Sequence, residues 1–315
     1  MVEQTVVVAG GTGLVGTALT TQLVQSGYRV IILTRNPQAK KPRPEWGGMV
    51  SYAGWDPSIQ VMDREAIAQA NAIVNLAGSG VMAKPWTKGY KKEIHDSRVN
   101  SSKLLLRAIG ENGHKLETVV NASAIGWYGS DSSNHPSPFT EDDLAAPGFL
   151  GETCFEWEAS IKPVTSLGKR LVICRLGLVL SKEGGVLAEI EKPLAFRAAV
   201  ILGSGQQVMS WIHIQDLCRV ILFAIENKDM QGVFNAVAPH PVTNRFLTLA
   251  LARHLYGRAF ISLKVPACFL RLAMGERFVE VLKSATVSSS RLGDAGFRFK
   301  FPDIGKALSS FYQTD

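Results

Sequence analysis

Short apolar runs alternate with segments of helical periodicity over the first 180 residues. The β-branched run Thr5–Ala9 ends at a glycine and predicts a buried strand. The segment 17–26 places leucines on one face before Gly27, which predicts a helix. Further strands are predicted at 30–34, 72–77, 119–123 and 170–180. Such alternation predicts an α/β fold in which a doubly wound parallel sheet carries helices on both faces.

From Ser181 onward the pattern breaks into shorter pieces. Glycine and proline interrupt residues 181–207, and shorter helices and a late strand follow. We therefore expect a Rossmann-type core over residues 1–180 that is completed by residues 208–240. Residues 181–207 and 241–315 are expected to form a smaller C-terminal α/β lobe on the substrate side of that core.

A glycine-rich turn joins the first strand to the first helix. Gly10, Gly13 and Gly16 lie three residues apart, and Gly11, Gly13 and Gly16 also satisfy the pattern G-x-G-x-x-G. Residues without a Cβ let the backbone reach the pyrophosphate of a dinucleotide at the positive end of the helix. The turn therefore predicts cofactor binding; a glycine turn without a ligand is the alternative.

The end of the second predicted strand indicates which dinucleotide fits. Arg35 follows that strand, and no acidic residue lies between Tyr28 and Gln38. An acidic residue here would bind the ribose 2′-hydroxyl of NAD, whereas an arginine accommodates the 2′-phosphate of NADP. The sequence therefore predicts NADP(H) rather than NAD(H), unless Arg35 is an ordinary surface arginine.

Composition and charge limit the other partners. Hydrophobic residues make up 46% of the 315 residues, yet no apolar run is long enough to cross a bilayer. The net charge of +7 includes a basic region at 84–98 that lacks the interleaved aromatics or motif of a nucleic-acid site. We expect an anionic cofactor and an unidentified small-molecule substrate, with no nucleic acid and no membrane, and a homodimer stays open.

Cysteine and histidine usage predicts neither disulfides nor a metal site. The four cysteines include no C-x-x-C pair, and the six histidines show no metal-ligand spacing. The first strand begins near Thr5, which leaves no room for a signal segment before it. Together these features predict a cytoplasmic protein with reduced thiols.

Several motifs together resemble one enzyme superfamily. The glycine turn 10–16, the strand end 74–78 and the segments 123–129 and 211–214 resemble the extended short-chain dehydrogenases/reductases, which include nucleotide-sugar epimerases and dehydratases. The pair Trp157 and Glu158, the segment 203–207 and the tail 291–299 are similar to an atypical branch of that group, the epimerase-family or cell-division-inhibitor-like proteins. The resemblance covers nearly the whole chain.

The resemblance implies a set of cofactor contacts. It implies that residues 12–15 contact the pyrophosphate, within a cofactor-binding turn that consists of Gly10, Gly11, Thr12, Gly13, Leu14, Val15 and Gly16. It implies that the adenosine ribose phosphate is held by Thr34 and Arg35. The remaining cofactor contacts that it implies are Leu76, Ala77, Gly78, Glu93, Arg98 and, near the nicotinamide, Val179.

The chain departs from the superfamily at the catalytic pair. Typical members carry Tyr-x-x-x-Lys on the helix after the serine strand; the tyrosine transfers a proton, and the lysine lowers the tyrosine pKa and holds the nicotinamide ribose. Residues 149–158 contain neither tyrosine nor lysine, and Leu150 and Cys154 fall at those two positions. Neither side chain can perform these tasks, so the usual pair is absent.

Other side chains must then provide the chemistry. Ser123 stands at the usual serine position and is expected to bind a carbonyl oxygen, and Tyr128 is expected to reach the cleft as a proton donor. Cys154 and His213 are further candidates. We favour an NADP(H)-dependent oxidoreductase or epimerase-like enzyme of unknown substrate, because Ser123 and Tyr128 remain. The alternative is a non-catalytic NADPH-sensing regulatory protein, which the family's label links to cell division.

Overall fold

The computed structural model describes residues 4–132 and 138–312, so the ends of the predicted core and lobe, 1–3 and 313–315, lie outside the described residues. The strands are β1 (Thr5–Ala9), β2 (Arg29–Thr34), β3 (Val50–Asp56), β4 (Val61–Met62), β5 (Ala72–Asn75), β6 (Thr118–Ala124), β7 (Arg170–Leu176), β8 (Leu178–Ser181), β9 (Ala198–Leu202), β10 (Val208–Met209), β11 (Trp211–His213), β12 (Gly232–Ala236), β13 (Val242–Thr243) and β14 (Ile261–Val265). The helices are α1 (Leu14–Gln25), α2 (Arg64–Gln69), α3 (Lys88–Asn112), α4 (Phe149–Ile161), α5 (Gly185–Leu194), α6 (Ile214–Glu226), α7 (Asn244–Tyr256), α8 (Ala267–Met274), α9 (Phe278–Leu282), α10 (Ser290–Asp294) and α11 (Ile304–Tyr312).

A sheet of eight strands dominates the described part of the chain. Its order is β12-β7-β6-β5-β1-β2-β3-β4, and its neighbours are parallel except for β3 and β4. The chain moves from β1 through β2 to β3 on one side and then returns to the other side at β5. This reversal is the switch point beside which doubly wound folds bind their ligands. The predicted α/β class and Rossmann-type parallel sheet are therefore confirmed.

Apolar side chains cover both faces of this sheet. Successive residues of a strand point to opposite faces, so Val6 and Val8 pack with Leu19 of α1, whereas Val7 packs with Leu105 of α3. All five side chains have essentially no exposed surface. Complete burial of one such side chain contributes about 1.5–3 kcal/mol to folding.

A separate apolar cluster holds the C-terminal elements together. Leu187 of α5, Leu247 of α7 and Leu308 of α11 pack around the fully buried Trp211. The two-stranded pairs β10–β13 and β9–β14 flank this region. No helix in residues 4–132 or 138–312 is long and apolar enough to span a membrane.

The segment between α9 and α11 returns to the large sheet. Phe297 packs in the same cluster as α1 and α6, so this tail touches the core as well as the C-terminal elements. The Asp216 carboxylate, which is fully buried, accepts hydrogen bonds from the N–H groups of Lys300 and Phe301 at 2.9 and 2.8 Å. These bonds satisfy a buried charge that would otherwise be costly.

Candidate cofactor and substrate site

In the glycine turn after β1, neighbouring atoms approach so closely that three of the glycines have no room for a Cβ. Gly10 has a φ of +80°, and a Cβ built on it would lie 2.7 Å from the carbonyl oxygen of Leu76. A Cβ on Gly16 would lie 2.3 Å from the Gly10 carbonyl oxygen, and one on Gly11 would lie 2.8 Å from the Ile32 side chain. The glycines thus let the ends of β1 and β5 meet and let α1 pack directly on the turn.

Gly13 differs from the other glycines of the turn because space remains beside it. It is exposed, its φ is −81°, and the nearest atom to an added Cβ is the Gly10 carbonyl oxygen at 3.4 Å. Gly13 is the N-cap of α1, and among the described residues no side chain caps this helix and none in its first turn is acidic. The N–H groups at the positive end of α1 can therefore bind an anion.

The last residue of β2 and the residue that follows it lie beside this turn. Thr34 is half-buried and Arg35 is exposed. Hydrogen bonds from Ser58 hold the pKa of the Asp56 carboxyl below its usual range, and the nearby positive charge of Arg35 contributes to this lowering. This acidic neighbour was not predicted, since Asp56 ends β3 rather than β2. Arg35 is therefore accessible to a phosphate group, but the acidic side chain of Asp56 lies near it.

The loop after β5 is supported from behind by α3. Leu76, Ala77 and Gly78 continue β5 next to the glycine turn, and a Cβ on Gly78 would lie 3.0 Å from the guanidinium carbon of Arg98. Arg98 donates hydrogen bonds to the carbonyl oxygens of Ser79 and Ile94 at 3.0 and 2.9 Å. Burial lowers the pKa of Arg98. Arg98 therefore positions this loop through its backbone.

Two further predicted contact residues lie at opposite ends of this region. Glu93 is exposed, accepts a hydrogen bond from the Ser79 hydroxyl at 3.1 Å and forms an ion pair with Lys84. Val179 lies in β8 and is half-buried. A Cβ on Gly185 would lie 3.2 Å from the Val179 carbonyl oxygen and 3.6 Å from the Leu14 side chain, so β8 adjoins the start of α1.

Ser123 belongs to a buried charged network. Its strand register sets it beside Arg175 of β7, and Arg175 pairs in turn with Asn235 of β12. The Ser123 hydroxyl donates to Glu158 Oε1 at 2.6 Å, and Arg175 binds both carboxylate oxygens of Glu158 at 2.9 and 3.1 Å. Ser123 is 1% exposed, so its hydroxyl serves this ion pair. The expected contact between Ser123 and a substrate carbonyl stays a prediction.

Tyr128 belongs to the same buried network, although it is also among the residues that line the cleft described below. Its hydroxyl donates to Asn235 Oδ1 at 2.6 Å and accepts a hydrogen bond from Arg175 Nη1 at 2.9 Å. The side chain is 0% exposed, and burial raises the pKa of Tyr128 to about 12. The hydroxyl is therefore engaged inside the protein, and its expected role as a proton donor stays a prediction. The physical reason for this engagement is that a buried guanidinium must find acceptors, and Tyr128 is one of them.

The ion pair between Arg175 and Glu158 was missed by sequence analysis. Its signal was an arginine inside the strongly apolar run 170–180, because a charge in such a strand requires a buried partner. The guanidinium of Arg175 also stacks on the Trp127 ring at 3.6 Å. Both members of the pair are almost fully buried, with side-chain exposures of 2% and 8%.

The two further candidates for acid–base chemistry are held in structural roles. Burial raises the pKa of the Cys154 thiol to about 11, and its sulfur lies 3.8 Å from the Ala124 carbonyl oxygen. His213 caps α6 by accepting the N–H of Gln215, and its ring stacks on Phe301. Burial lowers the pKa of His213 to about 4. Neither group is an accessible acid or base near neutral pH.

A cleft of about 840 Å³ opens between the core and the segment that contains α8 and α9. Its core wall includes Trp86, Gly126 and Phe149, and its other wall includes Phe278 and Leu282. This volume suits a small molecule, because ligand sites commonly measure about 300–1,000 Å³. Across the cleft, an ion pair joins Lys91 of α3 to Glu276. Within the described parts of the chain, no group of His, Cys, Asp and Glu could hold a metal ion.

Comparison with known proteins identifies the family. The model of the NAD-dependent epimerase/dehydratase family matches residues 6–153 and 170–236. The chain belongs to this family. A domain of unknown function, DUF1731, matches residues 265–311, the region of the second cleft wall and the tail. Epimerase family proteins of Mycobacterium leprae and Staphylococcus saprophyticus are 33% and 35% identical over 308 and 304 residues, covering 96% of this chain and 94% and 97% of theirs.

Solved structures of the epimerase family superpose on the whole chain. The human epimerase family protein SDR39U1 (isoform 2), crystallised with NADPH, is 29% identical with a TM-score of 0.82, covering 98% of this chain and 99% of the human chain. A nucleoside-diphosphate sugar epimerase of Corynebacterium glutamicum is 30% identical with a TM-score of 0.76. This chain is covered to 98% in that comparison and spans 58% of the longer bacterial protein.

Proposed function

We propose that the protein is an NADP(H)-dependent oxidoreductase or epimerase-like enzyme that acts on a small molecule in the cleft. The observation that carries the proposal is the glycine turn, where the uncapped end of α1 lies at the switch point of the sheet and Gly13 leaves room for a phosphate. The likeness to the human protein with NADPH supports the same cofactor. A cytoplasmic location is part of the proposal.

The residues at the glycine turn and at the end of β2 would hold this cofactor. The backbone of residues 12–16 would bind the pyrophosphate, and Arg35 would bind the 2′-phosphate through its planar donors. When bound, the nicotinamide supplies or accepts a hydride. In this proposal, residues 1–180 and 208–240 bind the cofactor, and residues 181–207 and 241–315 form the substrate-side lobe.

Titration with NADPH and, separately, NADH tests the cofactor assignment. Quenching of tryptophan fluorescence should show tighter binding of NADPH. Replacement of Arg35 by alanine should weaken NADPH binding about ten- to hundred-fold, because hydrogen bonds to a charged group contribute about 1.5–3 kcal/mol each, and should leave NADH binding unchanged. Equal binding of both cofactors by the wild type would indicate that Arg35 is an ordinary surface charge and does not select the cofactor.

A variant of the glycine turn tests the site without disturbing the fold. Gly13→Ala adds one methyl group where the backbone conformation tolerates it and where the nearest atom is 3.4 Å away, so melting should be unchanged while cofactor affinity falls. Gly89→Ala in α3, where an added Cβ would have only the Thr87 hydroxyl within 4.0 Å, is the matched control. Full affinity in Gly13→Ala would contradict binding at this turn.

One observation favours the alternative, a non-catalytic protein that senses NADPH. The hydroxyls of Ser123 and Tyr128 are both buried and engaged in the Arg175 network, and α4 contains neither tyrosine nor lysine. This reading predicts NADPH binding without turnover, and a protein partner, linked to cell division through the family's label, whose affinity depends on NADPH. A broad panel of sugars, aldehydes and quinones, followed by the nicotinamide absorbance, separates the two functions. Turnover of any member supports the enzyme.

A further inference from the structure

The cleft contains a lysine that sequence analysis did not identify. Lys283 directly follows α9, and its side chain is 13% exposed, whereas the ion-paired Lys192 and Lys306 are 69% and 66% exposed. Its ammonium lies 3.4 Å from the carboxylate of Glu280, one turn earlier. Because lysines are rarely buried to this extent at a protein surface, the position of Lys283 requires an explanation.

Lys283 lies near the region from which the usual catalytic pair is missing. Lys283 lines the cleft together with Gly126 and Leu150, and a Cβ on Gly126 would lie 3.6 Å from the sulfur of Cys154. Burial raises the pKa of Cys154, and Lys283 is among the positive charges that oppose this rise. Leu150 and Cys154 are the positions at which the superfamily resemblance places the missing tyrosine and lysine. Lys283, from the C-terminal segment, therefore supplies a positive charge near Leu150 and Cys154.

The backbone beside Lys283 is firmly held. The carbonyl oxygen of Ser284 accepts the N–H of Asp131 at 2.7 Å, and the Ser284 hydroxyl donates to the Asp131 carboxylate at 2.8 Å. The N–H of Val208 donates to the same hydroxyl at 3.0 Å. A reacting group must be positioned by rigid neighbours, and these bonds provide them for Lys283.

We propose that Lys283 is the proton donor of the cleft and that the substrate is a ketone or aldehyde with an apolar body. The inference rests on the proposed function, because it requires NADPH as the reductant. The carbonyl π bond breaks as hydride adds to the carbon, and a proton moves from Lys283 Nζ to the oxygen. The products are an alcohol, NADP⁺ and a neutral amine, which solvent reprotonates. The apolar body fits beside Trp86, Phe149 and Leu282.

Substitution of Lys283 tests the proposal against a matched lysine. Lys283→Met should reduce kcat for carbonyl reduction about 10²–10⁴-fold, the usual contribution of a positioned acid, without changing the affinity for NADPH. Lys283→Arg keeps the positive charge and should retain KM while kcat stays low, because a guanidinium does not give up its proton. Lys192→Met removes an exposed lysine with the same i,i+3 acidic neighbour, Glu189, and should behave as the wild type.

A second readout does not depend on activity. Lysines are methylated with isotopic formaldehyde and cyanoborohydride, with and without NADP⁺, and the labelled peptides are followed by mass spectrometry. Bound NADP⁺ should slow labelling of Lys283 several-fold and leave Lys192 unaffected. The charged groups near Lys283 in the cleft are Glu280, Lys91, Arg271 and Glu276.

The outcomes separate this inference from the proposed function. If the wild type binds no nicotinamide cofactor, the proposed function fails and the inference fails with it. If NADPH binds but the wild type reduces no carbonyl compound of the panel, the assignment of Lys283 is overturned while the cofactor site stands. Wild-type kcat in Lys283→Met, or labelling of Lys283 that is indifferent to NADP⁺, overturns it equally.

Discussion

Replacing Glu158 by glutamine removes a charge from the interior while keeping the shape of the side chain. Arg175 would keep the Tyr128 hydroxyl, the Glu141 carbonyl oxygen and one amide oxygen as acceptors, but it would lose the negative charge of the two carboxylate oxygens. Its side chain is 2% exposed, so water cannot take their place. Removing one member of a buried ion pair costs about 3–5 kcal/mol. Because the glutamine oxygen can still accept one bond, we expect the lower end, about 3 kcal/mol.

Urea denaturation followed by far-UV circular dichroism measures this change in the free energy of unfolding. Glu189→Gln is the control, since its pair with Lys192 is 69% exposed on both sides and contributes at most about 1 kcal/mol. The double variant Glu158→Leu/Arg175→Met removes both charges and should recover much of the loss. If Glu158→Gln costs no more than Glu189→Gln, the Arg175 charge is not isolated from water and the expectation is refuted.

Other groups of the molecule give separate expectations. Burial lowers the pKa of His213 from 6.5 to about 4, so the unfolded chain binds more protons than the folded chain between these pH values. The free energy of unfolding should therefore be greatest above about pH 6.5 and should fall as the pH is lowered towards 4. The same pH dependence in His213→Gln would contradict this expectation. A thiol reagent at mildly alkaline pH should modify only the exposed Cys268 of the folded protein, because burial raises the pKa of the other three thiols; more than one modified thiol per folded chain would count against it. Gly16→Ala should lower stability by about 1–3 kcal/mol, because its Cβ would lie 2.3 Å from the Gly10 oxygen, and an unchanged melting curve would show that α1 shifts freely.

The large sheet and its glycine turn could be predicted because their signals are local. The run Thr5–Ala9, the glycines at 10–16 and the helix that follows lie within one stretch of about twenty residues, and each pattern has a direct physical reason. The strand and helix alternation up to residue 180 extended this to β2, β5, β6 and β7, whereas β3 and β4 were not predicted. The edge strand β12, by contrast, comes from far along the chain.

The chemistry of the site could not be predicted in the same way, because it depends on contacts between distant residues. Arg175 reaches Glu158 from 17 positions away and Tyr128 from 47 positions away. The hydroxyls of Ser123 and Tyr128 were expected to face a substrate, since nothing in their local sequence indicates that the buried pair of Glu158 and Arg175 engages them. Lys283 shows the opposite case, a charge that a local pattern would assign to solvent and that the tertiary fold brings into the cleft.

Synthesis of this chain on the ribosome completes the cleft last. The Asp131 carboxylate accepts hydrogen bonds from Ser284 and Thr286, which follow it by 153 and 155 residues. At about 5–20 residues per second, these partners emerge on the order of ten to thirty seconds after Asp131. The glycine turn and the first strands can therefore assemble on the nascent chain while one wall of the cleft does not yet exist. The two walls of the cleft can therefore meet only after residues 284–286 have emerged.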